Sequence, residues 1–88
     1  MANYLVELPH TDEECLKGLD EMAKNGKQAL KDVVWGCQAG VHNGWALVKA
    51  KSEQEVRDKI ASPTMLKKAR VTKVEHYTVK DIAGFHKA

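Results

Sequence analysis

The sequence predicts an α+β domain, spanning residues 1–88, in which a four-stranded antiparallel sheet carries two helices on one face. Thr11 and Ser52 each precede a glutamate by three residues, which is the capping-box pattern at the start of a helix. Asn43-Gly44 lies between two apolar runs and is a strong signal for a β-hairpin. These features give the order strand, helix, strand, strand, helix, strand.

The first strand and the first helix follow from local signals. The run from Tyr4 to Leu8 is rich in strand-forming residues and ends at Pro9. The helix that begins after Thr11 ends at Asn25-Gly26, and residues 27–31 add another helical turn. The apolar positions of this helix have the spacing of one helix face: Cys15, Leu16, Leu19, Met22 and Ala23.

Residues 32–48 are predicted to form a hairpin with Asn43 and Gly44 as the two turn residues. His42 then opposes Trp45, and alternation assigns the other side chains to two faces. The core face gathers Val33, Trp35, Cys37, Ala46 and Val48. The opposite face gathers Val34, Gln38, His42, Trp45 and Leu47.

The second half of the chain is predicted to contain a broken helix and a last strand. The helix that follows Ser52 is interrupted at Pro63, and Thr64 caps a new turn, so the helical region has two pieces. Residues 70–79 return to strand character. Residues 80–88 form a C-terminal tail with no predicted structure.

This element order is the split βαβ pattern of the ferredoxin-like fold, which leaves one face of the sheet uncovered. The residues expected on that open face include large apolar ones: Leu5, Val34, Trp45, Leu47 and Tyr77. An exposed face this apolar usually acquires a partner, and a chain of 88 residues gains stability from one. The sequence therefore predicts a homodimer of stacked sheets, a dimeric α+β barrel, with a small chamber between its subunits.

The element order, the Trp-containing second strand and the passage Ala-Lys-Ser-Glu-Gln-Glu-Val-Arg at residues 50–57 resemble small dimeric α+β barrel proteins. Among these, the pattern resembles muconolactone-isomerase-like proteins and small ferredoxin-like families of unknown function, some of which bind nickel. The resemblance covers nearly the whole chain and implies a small-molecule site between subunits. No catalytic or metal-binding residue of these families matches this chain position by position.

Composition excludes several classes of partner. The formal net charge of +2 is slight and mixed along the chain, so no nucleic-acid partner is predicted. No stretch reaches the roughly 18 to 20 apolar residues of a membrane span. The first residues lack a secretory or transit pattern, so a cytoplasmic protein is expected.

Three acidic or phenolic residues are the catalytic candidates. Glu7, inside an apolar strand, would have a raised pKa in the inter-subunit chamber and act as a general base. Alternatively, it pairs with Lys49 or Lys73. With Val74 taken as core, Glu75 and Tyr77 join Glu7 on the open face, although charges on an edge strand also serve to prevent aggregation.

Ligand-binding candidates are Gln38, His42 and Trp45, which face the predicted chamber. The four histidines lack the i, i+4 spacing of a helical ligand pair, and the two cysteines form no CxxC pair, so reduced, partly buried thiols are expected. Across a dimer, His42 with Glu7 or Glu75 would suit nickel or zinc. The alternative is that the histidines are exposed loop residues.

Three functions are compatible with these features. The first is an isomerase-like proton-transfer enzyme that binds a small molecule between stacked sheets, with Glu7 as base. The second is a non-catalytic protein that holds a metal ion or small ligand through His and Glu. The third is a module whose open face docks another protein. No motif in the sequence identifies a cofactor.

Overall fold

The computed structural model describes residues 1–87, so Ala88, the last residue of the predicted tail, lies outside the described part. The chain forms a four-stranded antiparallel sheet with several helices, which confirms the α+β class. Its elements are β1 Ala2–Glu7, α1 Asp12–Asn25, α2 Lys27–Asp32, β2 Val34–Trp35, β3 Gly44–Ala50, α3 Glu53–Asp58, α4 Pro63–Leu66, β4 Arg70–Val74 and α5 Val79–His86.

The sheet has the strand order β2-β3-β1-β4, with every neighbouring pair antiparallel. This arrangement is compatible with a ferredoxin-like fold. One face carries the core, which gathers Tyr4, Val6, Leu8, Met22, Ala46, Ala50, Val56 and Met65. On the other face Leu5 lies opposite Leu47, whose side chain is 55% exposed. No helix within residues 1–87 has the length and apolarity to cross a membrane.

Side-chain caps set the helix starts. The hydroxyl of Thr11 accepts a hydrogen bond from the Glu14 amide, and the Glu14 carboxylate accepts one from the Thr11 amide, as predicted. The prediction that Thr64 caps the helix piece after the break is wrong. Ser62 caps α4 by accepting from the Met65 amide at 3.1 Å, because Pro63 then occupies the first helical position, where its missing N–H costs nothing.

Thr64 instead helps to join α4 to α1 through Glu21. The Ser62 hydroxyl donates to the Glu21 carboxylate at 2.6 Å, and the Thr64 amide and hydroxyl donate to it at 3.1 and 2.9 Å. These hydrogen bonds, the one from Ser62 first, favour the ionised carboxylate and hold the pKa of Glu21 below its ordinary value. The three residues thus tie two helices together on the core face.

The predicted two-residue hairpin turn is wrong. Strand β2 contains two residues only, with Val34 opposite Trp45 and Trp35 opposite Gly44, and residues 36–43 form a longer connection. The Asn43 side chain is held as an acceptor for the amides of Leu8 and Gly44, so Asn43-Gly44 cannot serve as a tight turn. Trp45 and Leu47 keep the predicted open face.

The last strand is shorter than predicted. It ends at Val74, which lies opposite Asn3 on the open face and not on the core face as expected. Thr78 then begins α5 by a capping box with Asp81, a local signal that ends strand character in residues 75–78. Most of the tail that was left without structure is therefore helical.

Candidate metal centre

Four side chains with metal-ligating atoms meet where β1 ends and β3 begins. They are His10, Cys15, Cys37 and His42, and one ligand atom from each lies within 4.8 Å of the other three. His10 is buried and the others are half-buried. We refer to these four residues as the His2Cys2 cluster.

The two histidines are neighbours because backbone pairing continues beyond the regular strands. The Leu8 amide donates to the Gly44 carbonyl at 2.9 Å, and the His10 amide donates to the His42 carbonyl at 3.1 Å. Pro9 lies between these two donors and has no amide hydrogen of its own. The two imidazole rings consequently lie 5.7 Å apart between their centroids.

The cysteines reach the histidines by two further local structures. The Thr11 cap fixes the first turn of α1, which carries Cys15. Cys37 begins a short 3₁₀ turn, Cys37–Ala39, that ends at Gly40 with a φ of +92°, a backbone conformation that glycine adopts without strain. The turn folds the connection back on itself, so that Cys37 and His42 lie on one side of it.

Gly36 makes this folded connection tight. The Val41 amide donates to the Gly36 carbonyl at 3.0 Å, and the Gly36 amide donates to the Asn43 carbonyl at 3.0 Å. A Cβ at position 36 would lie 2.9 Å from the Val41 carbonyl oxygen and 3.0 Å from the Trp45 ring. Only a residue without a side chain fits there unless its neighbours shift.

Both imidazoles have an acceptor outside the cluster beside one ring nitrogen. His10 Nδ1 lies 2.8 Å from the Leu8 carbonyl oxygen and donates to it, which leaves Nε2 with its lone pair 3.2 Å from Cys37 Sγ. His42 Nε2 lies 3.5 Å from the Asp12 carboxylate. His42 Nδ1 is buried and has no hydrogen-bond partner within residues 1–87. A metal-binding histidine typically has this pattern, with one nitrogen held by a carbonyl or carboxylate and the other free.

The thiol of Cys15 is protonated when no metal is bound. Its hydrogen bond with Cys37, its burial and the negative charge of Cys37 and Asp12 together raise the pKa of Cys15 to about 11. A bound metal ion reverses this preference, because a coordinating thiol gives up its proton to the solvent. Metal uptake at this cluster should therefore release protons and become stronger as the pH rises.

The donor set indicates which metal fits. Two thiolates and two imidazoles are the ligands of structural Zn²⁺ sites, and two thiolates also neutralise the charge of the ion. Tetrahedral Zn²⁺ with bonds of about 2.0 to 2.3 Å separates its ligand atoms by about 3.3 to 3.8 Å. The distance of 3.2 Å from His10 Nε2 to Cys37 Sγ is already near that range, and the other separations, none above 4.8 Å, enter it after a contraction of about 1 Å or less.

The other residues singled out in the sequence lie elsewhere. Glu7 is on the open face between Trp45 and Arg70 on the neighbouring strands. Gln38 is in the 3₁₀ turn and so is not on the sheet face. Glu75 and Tyr77 follow β4, whose end pairs with the start of β1, so within one chain they lie at the opposite end of β1 from Glu7.

Three members of the cluster were missed from sequence: His10, Cys15 and Cys37. The signal that was present is a pair of mirrored spacings, His10-x4-Cys15 and Cys37-x4-His42. Neither spacing matches a common zinc motif, and the two halves are 21 residues apart, from position 16 to position 36. Only the pairing of β1 with β3 brings them together.

Comparison with known proteins found no matching family model, no matching curated protein and no matching solved structure. No family's metal ligands or catalytic residues are therefore carried over to this chain.

Proposed function

We propose that this protein binds one Zn²⁺ ion through the His2Cys2 cluster, and that the ion holds the connection 36–43 against the turn between β1 and α1. The observation that carries the proposal is the orientation of the two imidazoles. His10 and His42 each have one nitrogen directed to an outer acceptor and one left for a metal. Surface histidines near cysteines by chance have no reason to share this arrangement.

The proposed role of the ion is structural. Four protein ligands complete a tetrahedral shell, whereas catalytic zinc sites keep a position open for water or substrate. This proposal develops the second hypothesis from the sequence, a non-catalytic metal-binding protein. His42 keeps its proposed place as a ligand, and Cys15 and Cys37 replace the carboxylates of Glu7 and Glu75.

The proposal also includes the fold superfamily and the oligomeric state of the protein. The strand order supports membership of the ferredoxin-like superfamily, and the exposed apolar side chains of the open face support a homodimer of stacked sheets. An isomerase-like site in the chamber of that dimer is a separate hypothesis. Its intended base, Glu7, lies opposite Arg70 in the register of β1 and β4, a different cation from the Lys49 or Lys73 expected from sequence.

The test is metal content and metal spectroscopy on the purified full chain. We expect one Zn²⁺ per chain, and we expect Co²⁺ to replace it with the strong visible absorption of a tetrahedral thiolate complex. The substitution His42→Gln should weaken Zn²⁺ binding by more than about 100-fold, because even changes to groups that only contact a ligand lower metal affinity by about 10- to 100-fold. His76→Gln, which changes a histidine outside the cluster in the same way, is the matched control and should bind normally.

Two results would contradict the proposal. One is a protein that takes up neither Zn²⁺ nor Co²⁺ with its thiols reduced. The other is equal loss of binding in the His42→Gln and His76→Gln variants, which would indicate nonspecific coordination by surface histidines.

A further inference from the structure

A second candidate site lies on the core face of the sheet, away from the His2Cys2 cluster. A cavity of about 360 Å³ opens between α2 and α3 above the centre of the sheet. Its floor is formed by β1 and β3, and Met22 of α1 closes its back. The apolar lining consists of Val6, Leu8, Met22, Val33, Ala46, Val48, Val56 and Ile60.

This cavity is open to solvent on one side, and its depth between the helices and the sheet is unusual for so small a domain. Protein interiors are packed as densely as organic crystals, and voids larger than a water molecule are few. Apolar walls offer water no hydrogen bonds, so an apolar cavity stays dry and accepts apolar molecules. A volume of about 360 Å³ also falls within the usual range of small-ligand sites, about 300 to 1,000 Å³.

The mouth of the cavity is polar and can hold a charged group. Three polar residues line it: Gln28 and Asp32 from α2, and Lys59 from the end of α3. The Lys59 ammonium lies 3.5 Å from the Glu55 carboxylate, which also accepts a hydrogen bond from the Lys51 amide. Because Glu55 keeps that second partner, Lys59 is able to turn towards a ligand without leaving a carboxylate unpaired.

The two sides of the mouth differ in charge: Asp32 on the α2 side is negative, and Lys59 on the α3 side is positive. Lys59 and the side-chain amide of Gln28 both donate hydrogen bonds, and the Gln28 amide already donates to Asp32 at 3.2 Å. A carboxylate near Lys59 would gain a direct ion pair on the α3 side of the mouth. A cationic head would meet Lys59 as a like charge on the α3 side and Asp32 as an opposite charge on the α2 side, where Asp32 already accepts a hydrogen bond from Gln28.

We propose that this cavity binds a small amphipathic molecule with an unbranched hydrocarbon body and a carboxylate head, such as a medium-chain fatty acid. The hydrocarbon occupies the space above Ala46 and Val48, and the carboxylate lies at the mouth beside Lys59. The site is independent of the metal centre, so failure of either proposal leaves the other standing.

The test is calorimetric titration of the purified full chain with decanoate, decanol and decylamine, each below the concentration at which it forms micelles. We expect decanoate to bind one per chain, decanol to bind more weakly and decylamine to bind weakest. Lys59→Gln should weaken decanoate binding by about twofold to fivefold, since an exposed ion pair contributes about 0.2 to 1 kcal/mol, and leave decanol unchanged.

Two neighbouring positions on β3 provide a matched pair of variants. Ala46→Leu places extra volume in the floor of the cavity and should abolish decanoate binding, whereas Leu47→Phe adds volume on the opposite face and should leave it unchanged. Circular dichroism establishes that each variant is folded, and Val48→Leu replaces Ala46→Leu if the latter is not.

The proposal is overturned if decanoate does not bind, or if it binds the cavity-filling variants as tightly as wild type. Loss of binding in Leu47→Phe alone would place the ligand on the open face instead. A preference for decylamine would overturn the assignment of the head group.

Discussion

At the scale of single residues, His10 and His42 derive their orientation from groups outside the cluster. The Leu8 carbonyl is part of the backbone and fixes the tautomer of His10 without any side chain being required. Asp12, on the exposed surface of α1, lies 3.5 Å from His42 Nε2, at the distance of an ion pair. Asp12 can therefore be tested by a side-chain substitution, whereas the backbone carbonyl of Leu8 cannot.

Asp12 provides the first prediction. Asp12→Asn removes the negative charge beside His42 Nε2 and should lower Zn²⁺ affinity by about tenfold, the lower end of what outer-shell changes cost. Competition with a chromophoric chelator measures the affinity. Glu13→Gln removes a neighbouring acidic charge from the same first turn of α1, and equal losses in both variants would show that only the general negative charge of this turn matters.

At the scale of elements, the metal centre joins α1 to the connection 36–43, which already pairs with the end of β1 through the His10 amide and the His42 carbonyl. The connection 36–43 is closed mainly by its own hydrogen bonds, among them those of Gly36 with Val41 and Asn43. Zn²⁺ would add links to α1 through Cys15 and to the end of β1 through His10. Binding energy at such a site stabilises the folded chain directly.

Removing the metal should therefore destabilise the protein. At free Zn²⁺ of about 100 times Kd, binding contributes about 2.7 kcal/mol, which in a domain of this size corresponds to a rise in Tm of about 10 to 20 °C. Thermal unfolding with Zn²⁺ and with excess chelator measures the difference. Hydrogen exchange should also become faster at the Gly40 and Val41 amides after chelation, and an unchanged Tm and exchange pattern would argue against a structural ion.

Glu21 leads to a prediction on pH. Its pKa is lowered in the folded protein, so its stabilising contribution is present above the ordinary value of 4.5 and is lost as the pH falls through the folded value. With chelator present throughout, the Tm of the wild type should fall further than the Tm of Glu21→Gln as the pH is lowered from about 6 to about 3. At neutral pH the variant should be less stable, because the hydroxyl of Ser62 loses a charged acceptor. If the Tm of the wild type and of Glu21→Gln falls by the same amount over this pH range, ionisation of Glu21 is not linked to stability.

The elements that could be predicted from sequence are those with a local cause. Thr11 and Glu14 are three residues apart and form their capping box without help from the rest of the chain. The prediction of a tight turn at Asn43-Gly44 was wrong because the Asn43 side chain accepts a hydrogen bond from the Leu8 amide, 35 residues away in the chain. The end of β4 was misplaced because Thr78 and Asp81 cap a helix inside a stretch that reads as strand.

At the scale of the whole molecule, the metal centre could not be predicted because its four ligands come from two segments of chain, residues 10–15 and 37–42, that are distant in sequence. From sequence, Cys15 is interpreted as an apolar position of α1, and Cys37 as a core residue of a longer second strand. Both interpretations are locally reasonable. The pairing of β1 with β3 and the folded connection 36–43 are what convert them into ligands.

Two apolar surfaces of the chain have no cover within residues 1–87. The open face exposes Val34 and Leu47, and α5 has no buried residue, with Phe85 packed on Tyr77 and still 57% exposed. An isolated helix of eight residues is marginal in water, so α5 gains from contact with another surface. A second copy of the chain offers one.

Homodimerisation gives the prediction at this scale. Leu47→Asp should separate or unfold the dimer, because an unpaired charge buried in an interface costs several kcal/mol. Leu16→Asp makes the same change at an exposed apolar position of α1, on the other side of the sheet, and is the control. Light scattering at micromolar concentration measures the mass, and a monomeric wild type with no loss of stability on dilution would refute the dimer.

The most direct measurement of the central claim is X-ray absorption at the zinc edge of the purified, Zn²⁺-loaded protein. The His2Cys2 cluster predicts a first shell of two sulfur atoms at about 2.3 Å and two nitrogen atoms at about 2.0 to 2.1 Å, with the outer-shell scattering of imidazole. In Cys37→Ser the shell should hold one sulfur atom. A first shell made only of oxygen and nitrogen, or one that is unchanged in Cys37→Ser, would contradict the assignment of the metal to these four residues.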